Sequence, residues 1–309
     1  MHVRLQAFAK INLDLRVLAR EESGFHQIET IFQRIALADD VDVTVEPGSG
    51  IHLRCQPPVG VPDEGNLAWR AAVAYRDIAA WPDATQAIRI DITKRIPHGG
   101  GLGGGSADAG AVLRALDALN PTPLSHDALL GVAATLGADV PFLTSGAIRA
   151  LAWGRGERML ALAPLAVRPL YLAIFREGVN TAAAYGALVA ARAEGHVATH
   201  GATLHTVGAL DDWATLVATA HNDFERPVFA SRPDVARVHA DWCAAAPAAL
   251  VRMSGSGATV YAIGTDAAGP ALQSAASAWA AGGDIRIVRS VTLAELPALS
   301  ILSPPTGSR

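Results

Sequence analysis

Cys55 and Cys243 are the only cysteines in a chain of 309 residues. Two thiols cannot build a disulfide framework, so a reducing, cytoplasmic setting is expected. Charge is scarce as well: 17% of residues are Asp, Glu, Lys or Arg against 50% hydrophobic, and the formal net charge is -4. An acidic balance without a long Lys/Arg run excludes an electrostatic nucleic-acid surface. The longest uncharged stretch, Ala267 to Gly283, is mostly Ala, Ser and Gly and too weakly apolar to span a membrane. An alternating pattern begins within three residues of the N-terminus with no apolar signal region, so no secretory leader is expected. No internal repeat is present. What remains is a globular composition long enough for two domains, expected at 1–153 and 154–299 with a disordered tail over 300–309.

Glycine, by contrast, is concentrated. The run Pro97-His98-Gly99-Gly100-Gly101-Leu102-Gly103-Gly104-Gly105-Ser106 holds six glycines within seven positions. Such a loop is entropically costly and suits backbone amides that must approach a ligand closely, phosphate above all. Ile88-Arg89-Ile90-Asp91-Ile92 before it alternates like a strand. Ala109, Val112, Leu113, Leu116 and Leu119 after it fall on one helix face, which Asn120-Pro121 stops. The loop therefore empties onto a helix N-terminus, where free amides and the dipole favour an anion. No Gly-Lys-Ser/Thr follows, which excludes a Walker loop. Gly99, Gly101 and Gly104 fit G-x-G-x-x-G, but the acids that follow, Asp117 and Asp127, lie in or at the start of helices and do not suit a ribose. The H-R-D and D-F-G signatures of protein kinases are missing too.

Elsewhere, odd positions from Val3 to Val17 are apolar and most even ones polar, which predicts a strand pair or one long bent strand with one face buried. Further strands are expected at 41–45, 51–55, 88–93, 147–153, 170–175, 259–263 and 284–291. Helices are expected at 66–80, from the cap Ser125 to Leu136, and at 182–192, 211–219, 233–244 and 269–281. The mixture predicts an α+β chain.

Phosphate transfer to an alcohol needs a phosphate cradle, a cation on the transferred group and a carboxylate for the hydroxyl. Lys10, on the polar face of the first strand, and Asp139, after the Gly137 stop, are candidates for the last two. Each also has a plain reading, as a solvated strand lysine and a turn aspartate. His196, His200 and His205 suggest a metal, but their segment is not helix-like and has no acidic or cysteine partner, so no metal site is assigned. Met253-Ser254-Gly255-Ser256-Gly257-Ala258-Thr259 lacks the spacing of a nucleophile elbow and reads as a turn or a second substrate-facing loop.

Ala9-Lys10-Ile11-Asn12-Leu13, Gly24-Phe25-His26, Pro97 to Ser106, Leu136-Gly137-Ala138-Asp139-Val140-Pro141 and Ser254-Gly255-Ser256-Gly257 together resemble the GHMP kinases, over nearly the whole chain to about Pro297. The resemblance implies a two-domain α+β fold with the active site in the cleft between domains, and a small-molecule kinase using ATP and Mg²⁺. Within the family the likeness is to members that phosphorylate the 2-hydroxyl of a cytidine-diphosphate-linked methylerythritol on the non-mevalonate route to isoprenoids. It implies Asp139 as catalytic base and Lys10 as its partner. Pro97, His98, Gly99, Gly100, Gly101, Leu102, Gly103, Gly104, Gly105, Ser106 and Ala107 would hold ATP, with Asn66 on the adenine side. Asn12, Phe25, His26, Asp139, Thr181 and Tyr185 would take the substrate. Phe25 stands where the family usually has tyrosine, Gly65 where it has aspartate, and Ser254 and Ser256 where threonines are commoner. Another GHMP kinase, of homoserine or mevalonate type, is the alternative; a non-catalytic nucleotide-binding module would leave Lys10 and Asp139 without a role. The expected assembly is a monomer or homodimer.

Overall fold

The computed structural model describes residues 1–79, 81, 85–195, 210–264, 268–281 and 285–302. His196, His200, His205 and the tail from Ser303 lie outside them. The expected first strand is one long bent strand, β1 (His2–Arg20), whose register against β2 (His26–Pro47) shifts at Phe8/Lys10, Asn12/Asp14 and Val17/Arg20. Only 41–45 of β2 was expected. β2 is long enough to pair twice on one edge, through 28–33 with β5 (Arg149–Gly154) and through 40–47 with β4 (Gln86–Thr93). β3 (Ile51–Gln56) lies parallel to β4, joined to it through helix α1 (Leu67–Ile78).

Two segments extend this first sheet beyond its expected limits. β6 (Arg158–Leu162), past residue 153, pairs with β5. Ser300–Leu302, expected inside a disordered tail, instead form β11, antiparallel to His2–Arg4. Against the sheet pack α1, α2 (Gly104–Leu119), α3 (His126–Leu136) and the one-turn α4 (Val140–Thr144). All five apolar positions expected on the face of α2 are buried, and Asn120 closes that helix as its cap. Ser125 accepts the Ala128 amide at 3.2 Å and starts α3.

The second sheet runs β10 (Ile285–Val291), β7 (Pro169–Phe175), β9 (Val260–Ile263), β8 (Leu250–Met253), all antiparallel. β7 and β9 are apolar at every position because both their faces are covered. Leu170, Leu172, Ile174, Tyr261 and Ile263 point into the core of the first sheet. Tyr171, Ala173, Phe175, Val260 and Ala262 point into a second core. That core is closed by α5 (Thr181–Ala193), α7 (Glu225–Ser231), α8 (Pro233–Ala245) and α9 (Gly269–Ala280); α6 (Trp213–Thr219) packs with the first core. Leu15, Val17 and Ile28 of β1 and β2 also join the second core, so the two lobes meet along the C-terminal part of β1. The expectation of a single buried face on β1 therefore fails from Ala7 to Leu15, where every residue is buried. No helix among the described residues is long and apolar enough to cross a membrane.

Candidate active site

After β4 the chain turns through Lys94–Ile96 into the glycine run. Gly99, Gly101 and Gly103 have φ of +75°, +75° and +70°, and Gly103 is the left-handed cap from which α2 begins. The amides of Gly104, Gly105 and Ser106 occupy the first turn and have no carbonyl four residues back to donate to. Together with Asn66, Leu67, Val59, Val61 and Ile96 the run lines a cavity of about 350 Å³. The arrangement can cradle an anion beside an apolar flank. Ala107 does not belong to it: its side chain is in the core and its amide donates to the Gly103 carbonyl at 2.8 Å. Asn66, buried, caps α1 by accepting the Ala68 amide at 2.9 Å, and its cap position places it on the cavity wall.

The glycines serve packing as much as ligand approach. A Cβ on Gly103 would lie 3.1 Å from Lys10 Cγ and 3.2 Å from Leu143; one on Gly104 would lie 2.9 Å from Ile96. Both point into the protein, so at these two positions glycine is required by packing. On the other side the loop is held by the second lobe. Thr259 donates its amide to the Gly100 carbonyl at 3.3 Å, and the Ser254 hydroxyl donates to the Gly101 carbonyl at 2.8 Å. Asn222 fixes that partner loop, donating to the Met253 and Gly255 carbonyls at 2.7 and 2.9 Å.

Lys10 is 3% exposed, so the solvated-lysine reading is excluded. Its amide donates to the Leu102 carbonyl at 3.0 Å, which pins β1 to the glycine loop. Its ammonium lies 3.1 Å from Asp139 Oδ2 and donates to Asn12 Oδ1 at 2.8 Å. Asn12 in turn donates to the Thr30 hydroxyl at 2.8 Å, so both ends of its amide are engaged and it orients Lys10. Asp139 stands at the N-terminus of α4 but caps nothing with its side chain; the carboxylate turns to Lys10 instead. Lys10 and Asp139 line a cavity of about 280 Å³ with Gly101, Gly103, Ser106, Arg155, Thr181 and Tyr185. Asp139 is the one carboxylate on its wall among the described residues.

The position of Asp139 depends on a residue with no sequence signal beyond an odd charge in an apolar run. Arg34, 1% exposed, donates to the carbonyls of Phe142, Ser145 and Ala147 at 2.7, 2.9 and 2.8 Å. It thus satisfies the C-terminal end of α4, where a cation is favoured. Burial, with the charge of Arg114 adding, pulls its guanidinium down to about 9, which leaves it charged at neutral pH. Arg34→Met is expected to strand the Ser145 and Ala147 carbonyls, while Phe142 keeps the Ser145 hydroxyl at 2.8 Å, and to cost about 3 kcal/mol or more, measured by denaturant unfolding. A midpoint equal to that of the parent protein would refute the role.

The third cavity, about 1290 Å³, is lined by Phe25, His26, Arg155, Thr181 and Tyr185. His26 stacks on Tyr185 with centroids 4.7 Å apart, and Tyr185 meets Phe224 edge-on at 4.9 Å. Burial and the charges of Arg20 and Arg192 hold the His26 imidazole below its ordinary value. Burial, with Asp139 adding, pushes the Tyr185 phenol up to about 12, so it stays neutral. Phe25 is 57% exposed and carries the Arg155 guanidinium 4.1 Å over its ring, which Glu21 holds from the other side at 2.6 Å. The Thr181 and Ser256 hydroxyls lie 3.0 Å apart across the mouth between α5 and the 254–257 loop. Arg155, Ala138, Thr181 and Tyr185 are shared with the Asp139 cavity, and Gly101, Gly103 and Ser106 join that cavity to the glycine loop. The three spaces form one path with Lys10 and Asp139 at its middle. Of Arg155, Lys94 and Asp108 on these walls, Arg155 alone sits in a glycine turn, between Gly154 and Gly156; Lys94 directly follows β4 and Asp108 lies within α2, so no local pattern marks them.

Residues 66–147 match the GHMP kinases N terminal domain family. Among curated relatives, the 4-diphosphocytidyl-2-C-methyl-D-erythritol kinase of Nitratidesulfovibrio vulgaris is 37% identical over 268 residues, 84% of this chain and 90% of its own. A solved 4-(cytidine 5'-diphospho)-2C-methyl-D-erythritol kinase superposes with a TM-score of 0.68 at 34% identity, covering 94% of this chain and 98% of the other. Homoserine kinase from Cytophaga hutchinsonii superposes with a TM-score of 0.66 over 97% of both chains, but at 17% identity that likeness shows only the shared fold.

Proposed function

Since the chain belongs to the GHMP kinases and, within them, to the 4-diphosphocytidyl-2-C-methyl-D-erythritol kinases, we propose that it moves the terminal phosphate of ATP to the 2-hydroxyl of that cytidine-diphosphate sugar alcohol. The observation that carries the reading is the 3.1 Å meeting of Lys10 and Asp139 midway between the glycine cradle and the aromatic cavity. ATP lies along the glycine run with its phosphates toward the amides of Gly104 to Ser106 and its base toward Asn66. The cytidine end lies in the wide cavity, where Phe25, His26 and Tyr185 offer ring faces for stacking. The sugar alcohol then reaches past Thr181 to Asp139.

Asp139 accepts the proton of the attacking hydroxyl, and the Lys10 ammonium faces the charge that develops on the phosphoryl oxygens. Mg²⁺ enters with the nucleotide as part of the substrate. Among the described residues no three His, Cys, Asp or Glu side chains come together as a metal cage. The enzyme works in the cytoplasm, in keeping with its two free cysteines.

The test is phosphate transfer from labelled ATP to the cytidine-diphosphate methylerythritol, homoserine and mevalonate in parallel. Transfer to the first alone is expected. Transfer to homoserine or mevalonate instead would reassign the chain within the family, and nucleotide binding without any transfer would make it a sensor.

A further inference from the structure

Beneath the glycine loop lies a buried ion cluster that phosphate transfer does not use. Lys94, at the end of β4, bonds Asp39 of β2 and, at 2.6 Å, Asp108 on the second turn of α2. Lys94 and Asp108 line the nucleotide cavity. The Lys94 ammonium lies 3.5 Å from where a Gly104 Cβ would be, under the first amide of the cradle. With both carboxylates ionised the cluster would carry one net negative charge directly behind the place where phosphates sit.

The two carboxylates differ in their bonding. Asp39 accepts the Arg95 and Ile96 amides at 2.5 and 2.8 Å on one oxygen and Lys94 on the other, so it is satisfied as an anion. Asp108 is 3% exposed; Lys94 serves its Oδ2, and its Oδ1 has no partner. A buried carboxylate oxygen without a donor is the one to be protonated. We infer that Asp108 takes up a proton onto Oδ1 when nucleotide phosphates fill the cavity above it, so that nucleotide binding here is proton-linked. This rests on the reading that ATP occupies the glycine loop.

The electrostatics run the same way. Burial lifts the Asp108 carboxyl toward neutral pH, Lys94 pulls it back, and Asp39 pushes it further up. Burial lowers the Lys94 ammonium, but its two carboxylates outweigh that and hold it charged. Cys55 of β3 faces the same cluster, and burial keeps its thiol protonated. Polyphosphate adds negative charge and removes water, both of which favour the neutral carboxyl. The protonated form therefore binds nucleotide better, and affinity falls as pH rises through the titration.

Calorimetric titration of a non-hydrolysable ATP analogue with Mg²⁺, in several buffers of different ionisation heat near pH 7, counts the protons. The parent protein is expected to take up roughly half a proton more than Asp108→Asn, and to lose affinity relative to it by about threefold per pH unit. The nucleotide's own phosphate titration cancels in that difference. Equal counts would overturn the inference while leaving nucleotide binding intact. An absence of binding heat in the parent protein would instead bring down the reading of the loop, and this inference with it. Should Asp108→Asn fail to fold, carboxyl carbon NMR of the parent protein decides: one buried aspartate moving to its protonated shift on nucleotide addition supports the inference, and none doing so refutes it.

Discussion

Asp139→Asn is expected to lower turnover by about 100-fold or more, the scale of a positioned general base, and to leave nucleotide affinity nearly unchanged. The amide keeps an oxygen for Lys10, and Lys10 keeps Asn12, so the local bonding survives while the basic oxygen is lost. Nothing else on the wall can take its place. Tyr185 is held as a neutral phenol, Thr181 is engaged with Ser256, and Lys10 is the cation of the pair. The cradle is built of backbone amides on α2, which the substitution does not touch. Single-turnover kinetics beside a nucleotide titration checks both halves. Turnover like that of the parent protein would remove Asp139 from the chemistry, whereas a loss of nucleotide affinity equal to the loss of turnover would make it a binding residue.

Local signals carried much of the fold. Period-2 alternation located β1, the i, i+3, i+4 spacing after Ser106 located α2, and Ser125 and Asn120 marked real helix ends. What escaped was decided by distant packing. The first half of β2, with Thr30, Gln33 and Arg34 inside it, breaks alternation because both its faces are buried, and its polar side chains find partners only in folded structure. β6 and β11 are edge strands whose pairing no local pattern announces. The same division holds at the site. Lys10 and Asp139 come together through the resemblance and the phosphate-transfer logic, since 129 positions of sequence separate them. The Asn12–Thr30 and Arg34–α4 supports, and the Asp39–Lys94–Asp108 cluster, are long-range hydrogen-bond solutions to burial, written in the sequence only as charges where apolar residues would be ordinary.

The glycine run gives the second large effect, and it separates two reasons for the same residue. In Gly101→Ala the new methyl would sit 2.2 Å from the Ser254 carbonyl oxygen, a backbone atom of the second lobe, at a φ of +75°. That oxygen already accepts the Gly257 amide at 3.1 Å, and the Ser254 hydroxyl holds the Gly101 carbonyl, so neither side can yield without breaking the contact between lobes. Left-handed backbone for alanine costs about 1–2 kcal/mol and overpacking about 1–3 more, for a fall in melting temperature of roughly 10 °C. Gly105→Ala is the contrast. Its methyl would meet only Leu67, at 3.6 Å, inside the first turn of a helix. Alanine there is expected to hold or raise the melting temperature, since glycine costs a helix up to about 1 kcal/mol. A ligand-free melting scan of both variants decides. If both melted like the parent protein, the loop would not be the joint between the lobes, and its glycines would have to be explained by the nucleotide alone.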